Sequence, residues 1–266
     1  MPISLDACVG QNIGDRSEQQ DRAGLFQHSR QKSLVLAAVA DGVGGQTGGG
    51  LAAGQVVVTL KNAFEGFSAN EQTPEQMLKD AINEAHQMIR QGRVLNEQDP
   101  NSTGVVLLLR AQGETMSATW AHCGDSRLYH LRGNRVVFQT RDHTYVQQMM
   151  QKGYMTPEQA AVHPRRNMLV TSLGGEDPPL IDIGSANDLQ AGDNFLLCSD
   201  GLYAYFDETE LASTVAANSA RQASEKLINL ARERAAGKGD NCTVVIVKLE
   251  APKAPAGRAA PRPLPG

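Results

Sequence analysis

The stretch Ser33 to Gly50, SLVLAAVADGVGGQTGGG, changes character at one residue. From Ser33 to Ala40 the chain is an almost unbroken apolar run, of the length expected for a strand buried on both faces. It stops at Asp41, and a glycine cluster from Gly42 to Gly50 follows. Leu51 to Phe64 then places apolar residues at helical spacing, although Val56-Val57-Val58 lowers the helix propensity. A buried strand that ends on a carboxylate, then glycine, then a helix, is the unit that the rest of the chain varies.

Downstream, Thr73-Pro74-Glu75-Gln76 has the form of a capping box and predicts a helix to about Gln91. Val105–Leu109, Thr115–His122, Ser126–Leu131 and Val136–Phe138 are short strand-like runs, with Arg132-Gly133-Asn134 as the turn between the last two. Thr144–Lys152 reads as a helix stopped by Gly153. Thr156-Pro157-Glu158-Gln159 repeats the helix-start signature. Leu180–Ile183 and Asn194–Cys198 are expected strands, Asp207–Ala216 and Ser219–Ala236 expected helices, and Cys242–Leu249 a final buried strand. Strands come in runs with helix pairs between them. That order favours an α+β layered sandwich over a doubly wound parallel sheet.

Four aspartates occupy matching places: Asp41 after SLVLAAVA, Asp125 after ATWAHCG, Asp200 after NFLLCS, and Asp240 two residues before CTVVIVKL. Each lies beside a glycine or one residue from it. Asp-Gly is also a common turn dipeptide, so any one of them alone is an ordinary turn residue. Four at the mouths of buried strands are different, because converging carboxylates are costly unless a cation compensates them. Carboxylate oxygens suit hard ions such as Mg²⁺ and Mn²⁺, and neighbouring glycines let main-chain carbonyls approach. Upstream, Arg16 precedes Asp21 in GDRSEQQD. A guanidinium fork matches phosphate, although an Arg near an Asp is more often a surface ion pair.

The composition suits a soluble globular protein with a sizeable core. The 266 residues are 41% hydrophobic and 20% charged, with net charge −4. No basic block interleaves with aromatics, which argues against a nucleic-acid partner. The start of the chain lacks a signal-peptide pattern, and no apolar run is long enough for a membrane span. Cys8, Cys123, Cys198 and Cys242 form no CxxC pair, as expected of a reduced, cytoplasmic protein. Residues 251–266 (APKAPAGRAAPRPLPG) have the composition of a disordered tail, leaving residues 1–250 as one domain.

Taken in order, the motifs resemble those of the metal-dependent protein serine/threonine phosphatases, the PPM or type 2C family, in its bacterial form. GDRSEQQD (Gly14–Asp21) resembles the first motif. VADGVGG (Val39–Gly45) resembles VADGMGG, and Ser102-Thr103-Gly104 stands in the place of Gly-Thr-Thr. Gly124-Asp125-Ser126-Arg127 matches GDSR. Thr140-Arg141-Asp142-His143, Leu197–Leu202 and GKGDNCT (Gly237–Thr243) resemble T-x-DH, LxSDGL and GxxDNxT. The resemblance spans about Ile3 to Leu249.

The resemblance implies a four-layer α-β-β-α sandwich, with a central antiparallel β-sandwich flanked by helix pairs and a metal cleft at one end. It implies two Mn²⁺ or Mg²⁺ ions: Asp41 bridging, Gly42 offering its carbonyl to the first, Asp21 acting through water, and Asp200 and Asp240 completing the second. Asp125, with Asp200, would hold a weaker third. Asn241 would support Asp240, and Arg16 would bind phosphate. The implied reaction is hydrolysis of phosphoserine or phosphothreonine by a metal-bridged hydroxide, with no phosphoenzyme, by a monomer opposing a bacterial Ser/Thr kinase. A pseudo-phosphatase that only binds a phosphoprotein, and a phosphatase serving a regulatory switch, are the other readings. Thr144–Asn167 would form the family's variable flap, with Arg165-Arg166 available to substrate.

Departures from the family pattern are Gln19 and Gln20 in the first motif, Gln46 and Gly50 in the glycine loop, and Val43, where a histidine can act as general acid. Rival chemistries fail on spacing. His122-Cys123 opens like HCx5R, but the arginine position holds Tyr129. No Gly-Lys-Ser/Thr closes a P-loop, and Thr47 interrupts GxGxxG. His143 is read as structural, and Cys123, Cys198 and Cys242 as small buried hydrophobes.

Overall fold

A computed structural model describes residues 4–43, 48–96, 99–113 and 115–251. The expected tail, apart from Ala251, lies outside these residues, as do Gln46 and much of the glycine cluster. The strands are β1 (Ser4–Asn12), β2 (Arg22–Gln27), β3 (Leu34–Ala40), β4 (Gly42–Val43), β5 (Asn101–Ser102), β6 (Gly104–Gln112), β7 (Thr115–Cys123), β8 (Arg127–Arg132), β9 (Arg135–Gln139), β10 (Asp182–Ala186), β11 (Asp193–Cys198) and β12 (Cys242–Glu250). The helices are α1 (Gly49–Gly66), α2 (Pro74–Asn96), α3 (Tyr145–Gln151), α4 (Pro157–Ala161), α5 (Asp200–Tyr203), α6 (Glu208–Ala217) and α7 (Ala220–Ala235).

Two five-stranded antiparallel sheets face one another, ordered β1-β12-β11-β8-β9 and β10-β7-β6-β3-β2. The apolar run that opened the sequence explains the layering. Leu34, Leu36, Ala38 and Ala40 of β3 pack under α1 and α2, while Ala37 and Val39 point between the sheets. β12 does the same in the other sheet. Cys242, Val244 and Ile246 meet α6 and α7, and Val245, Val247 and Leu249 enter the inter-sheet core. Both faces of these strands are buried, so the sequence shows continuous apolar runs instead of alternation. The four-layer α-β-β-α sandwich stands as expected.

Local signals hold with some corrections. Thr156 and Ser219 form complete capping boxes with Gln159 and Gln222. At α2 only half of one forms. The Gln76 N–H donates to Thr73 Oγ1, but the Gln76 side chain reaches Asp80 instead of turning back. That helix extends past Gln91 to Asn96, because nothing at Gln91 or Gly92 terminates it. The strand expected at Leu180–Ile183 sits later, at Asp182–Ala186, where it pairs with β7. β1 and β2 had no sequence expectation. Their residues are mostly half-buried and carry no sustained apolar run.

Candidate metal centre

The strands deliver their carboxylates to one end of the sandwich. Asp41 ends β3, Asp125 follows β7, Asp200 follows β11, and Asp21 and Asp240 precede β2 and β12. A cleft of about 390 Å³ there is lined by Arg16, Asp41, Gly42, Asp125, Asp200 and Asp240, together with Gln20 and Asn241. Asp21 lies behind it, 1% exposed. All seven residues singled out in the sequence therefore converge, six on the cleft surface and one beneath it.

Main-chain anchoring explains the placement. Thr103 N–H donates to the Asp41 carbonyl, and Asp41 N–H donates to Thr103 Oγ1. Ser102 Oγ also donates to the Asp41 carbonyl, so β4–β5 fixes the end of β3. Two distant loops are joined on the other side. Asn241 Nδ2 donates to the carbonyls of Ile13 and Glu18, and its Oδ1 accepts Gln20 N–H. Asn241 thus holds the Arg16 loop; toward Asp240 it offers only its main-chain N–H, to Oδ1. Gly14 has φ +67°, and a Cβ there would meet the Asp240 carbonyl oxygen at 2.1 Å, so only glycine lets these loops close.

The electrostatics are those of a site lacking positive charge. Burial pushes Asp21 up to about 6, against the hydrogen bonds of Ser199 and Thr243. Burial also pushes Asp125 up to about 7, with the charges of Asp200 and Asp142 adding to it. Asp200 rises to about 6 through burial and the charge of Asp240. Asp41 is raised well above the carboxylate range by burial, then by Asp21, Asp200, Asp125 and Asp240 together. Two cations offset this in part: Arg127, which also acts on Asp125 and Asp200, and Arg16, whose Nη2 donates to Asp240 Oδ2 at 2.6 Å. The Arg16 and Asp240 side chains are both largely exposed, so theirs is a weak, exchangeable pair.

Asp21 provides the test of fit for metal ions. Its Oδ2 accepts from Ser199 Oγ at 2.7 Å, while its Oδ1 is buried with no hydrogen-bond partner. An orphaned carboxylate oxygen among mutually repelling carboxylates matches the donor set of a hard divalent cation. The residues present fit Mn²⁺ or Mg²⁺.

Several contributors had gone unremarked. Ser199 and Thr243 orient Asp21, and Ser199 Oγ in turn accepts Thr243 N–H. Both sit inside quoted motifs, so their position was visible even though their role was not. Asn167, Leu169 and Ser172 line the cleft from a segment with no chemical signature in sequence. Val43 lines it too, and none of the six histidines does.

A second cluster, His122, His143 and Asp182, also brings potential ligand atoms together. Its hydrogen bonds argue against an ion. His143 Nδ1 accepts Gly124 N–H, which leaves the ring proton on Nε2, where a metal would need a lone pair. His143 is structural, as expected, but it braces the Gly124-Asp125 turn; the helix start is capped by Thr144. The cysteines are free, and Cys123, Cys198 and Cys242 are buried. Burial pushes the Cys123 and Cys242 thiols up to about 12, and that of Cys198 also up.

Comparison with known proteins places this geometry. The family model described as Protein phosphatase 2C matches residues 11–234. The serine/threonine phosphatase stp of Listeria welshimeri is 32% identical over 239 residues, 88% of this chain and 91% of its own. Protein phosphatase PhpP of Streptococcus pneumoniae is 29% identical over 258 residues, 94% of this chain and 98% of its own. The solved S. agalactiae serine/threonine phosphatase superposes with a TM-score of 0.82 at 27% identity, covering 93% of this chain and 100% of that one. The catalytic domain of PstP in complex with two manganese ions gives 0.75 at 25% identity, covering 94% and 100%.

Proposed function

The chain belongs to the protein phosphatase 2C family, and from that premise we propose that Arg16 and the carboxylates of Asp21, Asp41, Asp125, Asp200 and Asp240 carry out its chemistry. It is a metal-dependent protein serine/threonine phosphatase that uses Mn²⁺ or Mg²⁺, and its substrates are phosphoproteins. The observation that carries the site assignment is the buried, unpartnered Oδ1 of Asp21 among carboxylates that raise one another's pKa.

Asp41, Gly42 and Asp21 would hold one ion, and Asp41, Asp200 and Asp240 a second. Asp125, with Asp200, would hold a weaker third. When bound, the ions supply Lewis acidity toward phosphoryl oxygens and toward water. Arg16 is 61% exposed at the cleft mouth and holds Asp240 through one nitrogen. It can exchange that partner for phosphoryl oxygens and present its fork to them. Ser199, itself held by Thr243 N–H, fixes Asp21 through Oδ2 and leaves Oδ1 without a partner.

Among the described residues no helix is long and apolar enough to cross a membrane. We assign the catalytic domain to residues 1–250, acting as a cytoplasmic monomer that reverses a Ser/Thr kinase. The test is phosphate release from a phosphoserine peptide with Mn²⁺ or with a chelator. Release should require the ion and should vanish in Asp240→Asn while thermal unfolding stays cooperative. Full activity in Asp240→Asn would sink the site assignment. Phosphopeptide binding without hydrolysis by the unmodified chain would favour the pseudo-phosphatase.

A further inference from the structure

The cleft continues into a second pocket. The two share Asp125 and Asn167 as lining residues, and the second, at about 630 Å³, is the larger. One wall is apolar: Val146 and Met150 from α3, and Pro157, Ala160 and Ala161 from α4. The other wall holds Tyr203 and Tyr205, with Arg127 and Asp142 below them.

The charges of that wall are already satisfied. Arg127 donates from Nε and Nη2 to both oxygens of Asp142, at 2.8 and 2.7 Å, and from Nη1 to the Tyr129 hydroxyl. Its guanidinium carbon lies 3.6 Å from the Tyr203 ring centroid. Arg166 also lines the pocket; the compensated Arg127–Asp142 pair offers an incoming ion little, and the aromatic and aliphatic walls suit an uncharged apolar side chain. The apolar wall is anchored in advance. Thr144 caps α3, a capping box closes α4, and Tyr145 N–H donates to the Met168 carbonyl. A pocket formed before binding loses less entropy when it is filled.

We propose that this pocket receives an aliphatic side chain of the phosphoprotein substrate, close in sequence to the phosphoserine or phosphothreonine in the cleft. The proposal rests on the phosphatase reading above and adds the substrate feature it selects. Continuity with the cleft names the occupant. A polypeptide leaving the cleft past Asp125 and Asn167 enters this pocket while tethered by its phosphate, so the second contact is intramolecular.

The test uses the full chain with Mn²⁺, an aryl phosphate, and phosphoserine peptides that differ only in one flanking residue: Leu, Phe or Asp. The unmodified protein should favour Leu over Asp by about tenfold in kcat/KM. Ala161 is exposed, so Ala161→Trp fills the pocket without disturbing the core. It should abolish the preference through KM and leave aryl phosphate turnover within about twofold. Met150→Ala enlarges the pocket and should move the preference toward Phe. Equal rates on all peptides with hydrolysis intact overturn the pocket assignment alone. So does an Ala161→Trp enzyme that loses aryl phosphate turnover as much as peptide turnover. No hydrolysis of any substrate by the unmodified chain overturns the phosphatase reading and the pocket with it.

Discussion

Asp193 and Asp21 are both buried carboxylates, 0% and 1% exposed, yet their chemistry is opposite. Asp193 is gripped by the fork of Arg132, through Nε at 2.6 Å and Nη2 at 2.9 Å, and accepts Gln190 N–H. Burial pushes its pKa up, but the Arg132 fork and the Gln190 amide outweigh this and hold it below the carboxylate range. Asp21 has one oxygen bonded to Ser199, the other bonded to nothing, and a pKa raised to about 6. The difference is who supplies the cation. Where the chain supplies it, the carboxylate is structural; where it does not, the carboxylate is left open to an external ion, as the proposed site requires.

The largest test of this contrast is to remove a charge at each place. On the proposed site, Asp41→Asn should lower phosphatase turnover by about 10³-fold or more, since it removes the carboxylate assigned to both ions. It should also raise the metal-free melting temperature, because the deleted charge is one that its neighbours repel. A lower metal-free melting temperature would break the comparison. The reciprocal change, Asp193→Asn, should leave turnover intact and lower stability by about 2 kcal/mol, read by urea unfolding.

Supplying the missing cation is the next test. Manganese at about 100 times its dissociation constant should stabilise the protein by about 2.7 kcal/mol. The increment should grow with pH. Asp21, Asp125 and Asp200, with folded-state values of about 6, 7 and 6, hold protons that the unfolded chain releases near pH 4. Their contribution to metal-free stability is therefore full below about pH 4 and is lost as pH rises through 6 to 7. Manganese has to displace those protons below pH 6. His86, His122, His130 and His143 have pKa values lowered by burial and act in the opposite direction. They are common to both metal states, so the manganese increment isolates the carboxylates. Melting curves at pH 5.5 and pH 8, with metal and with chelator, measure it; an increment that is equal or smaller at pH 8 contradicts the assignment.

The smallest expected effect concerns thiols. Cys123, Cys198 and Cys242 are buried with raised pKa values, so a thiol reagent should titrate only the half-buried Cys8 in the native protein. Cys8→Ser should change stability by less than about 0.5 kcal/mol. Rapid modification of a second thiol would contradict the reading of the other three as inert, buried side chains.

The same contrast explains what the sequence could reveal. Asp41, Asp125 and Asp200 were legible because each ends a strand buried on both faces, where an apolar run stops abruptly on a carboxylate. Asp193 was not, because its partner Arg132 lies 61 residues away and ordinary turn residues flank it. β1 escaped notice because its residues are mostly half-buried, with polar Asp6, Gln11 and Asn12 among them. The Ser199–Asp21 bond spans 178 residues, a distance over which no local pattern speaks. Asn167 and Ser172 reach the cleft through the fold alone.

Asn241 ties the Arg16 loop to the Asp240 turn, and β1 pairs with β12 from Ser4↔Glu250 to Asn12↔Cys242. On the ribosome, a nascent chain carries Arg16 and Asp21 long before the segment that positions them has been made. A polypeptide arrested before about residue 240 would lack Asp240, Asn241 and the whole of β12, and with them one side of the cleft. On the proposed site, the cleft is complete, and hydrolysis can begin, only once nearly the entire domain has been translated.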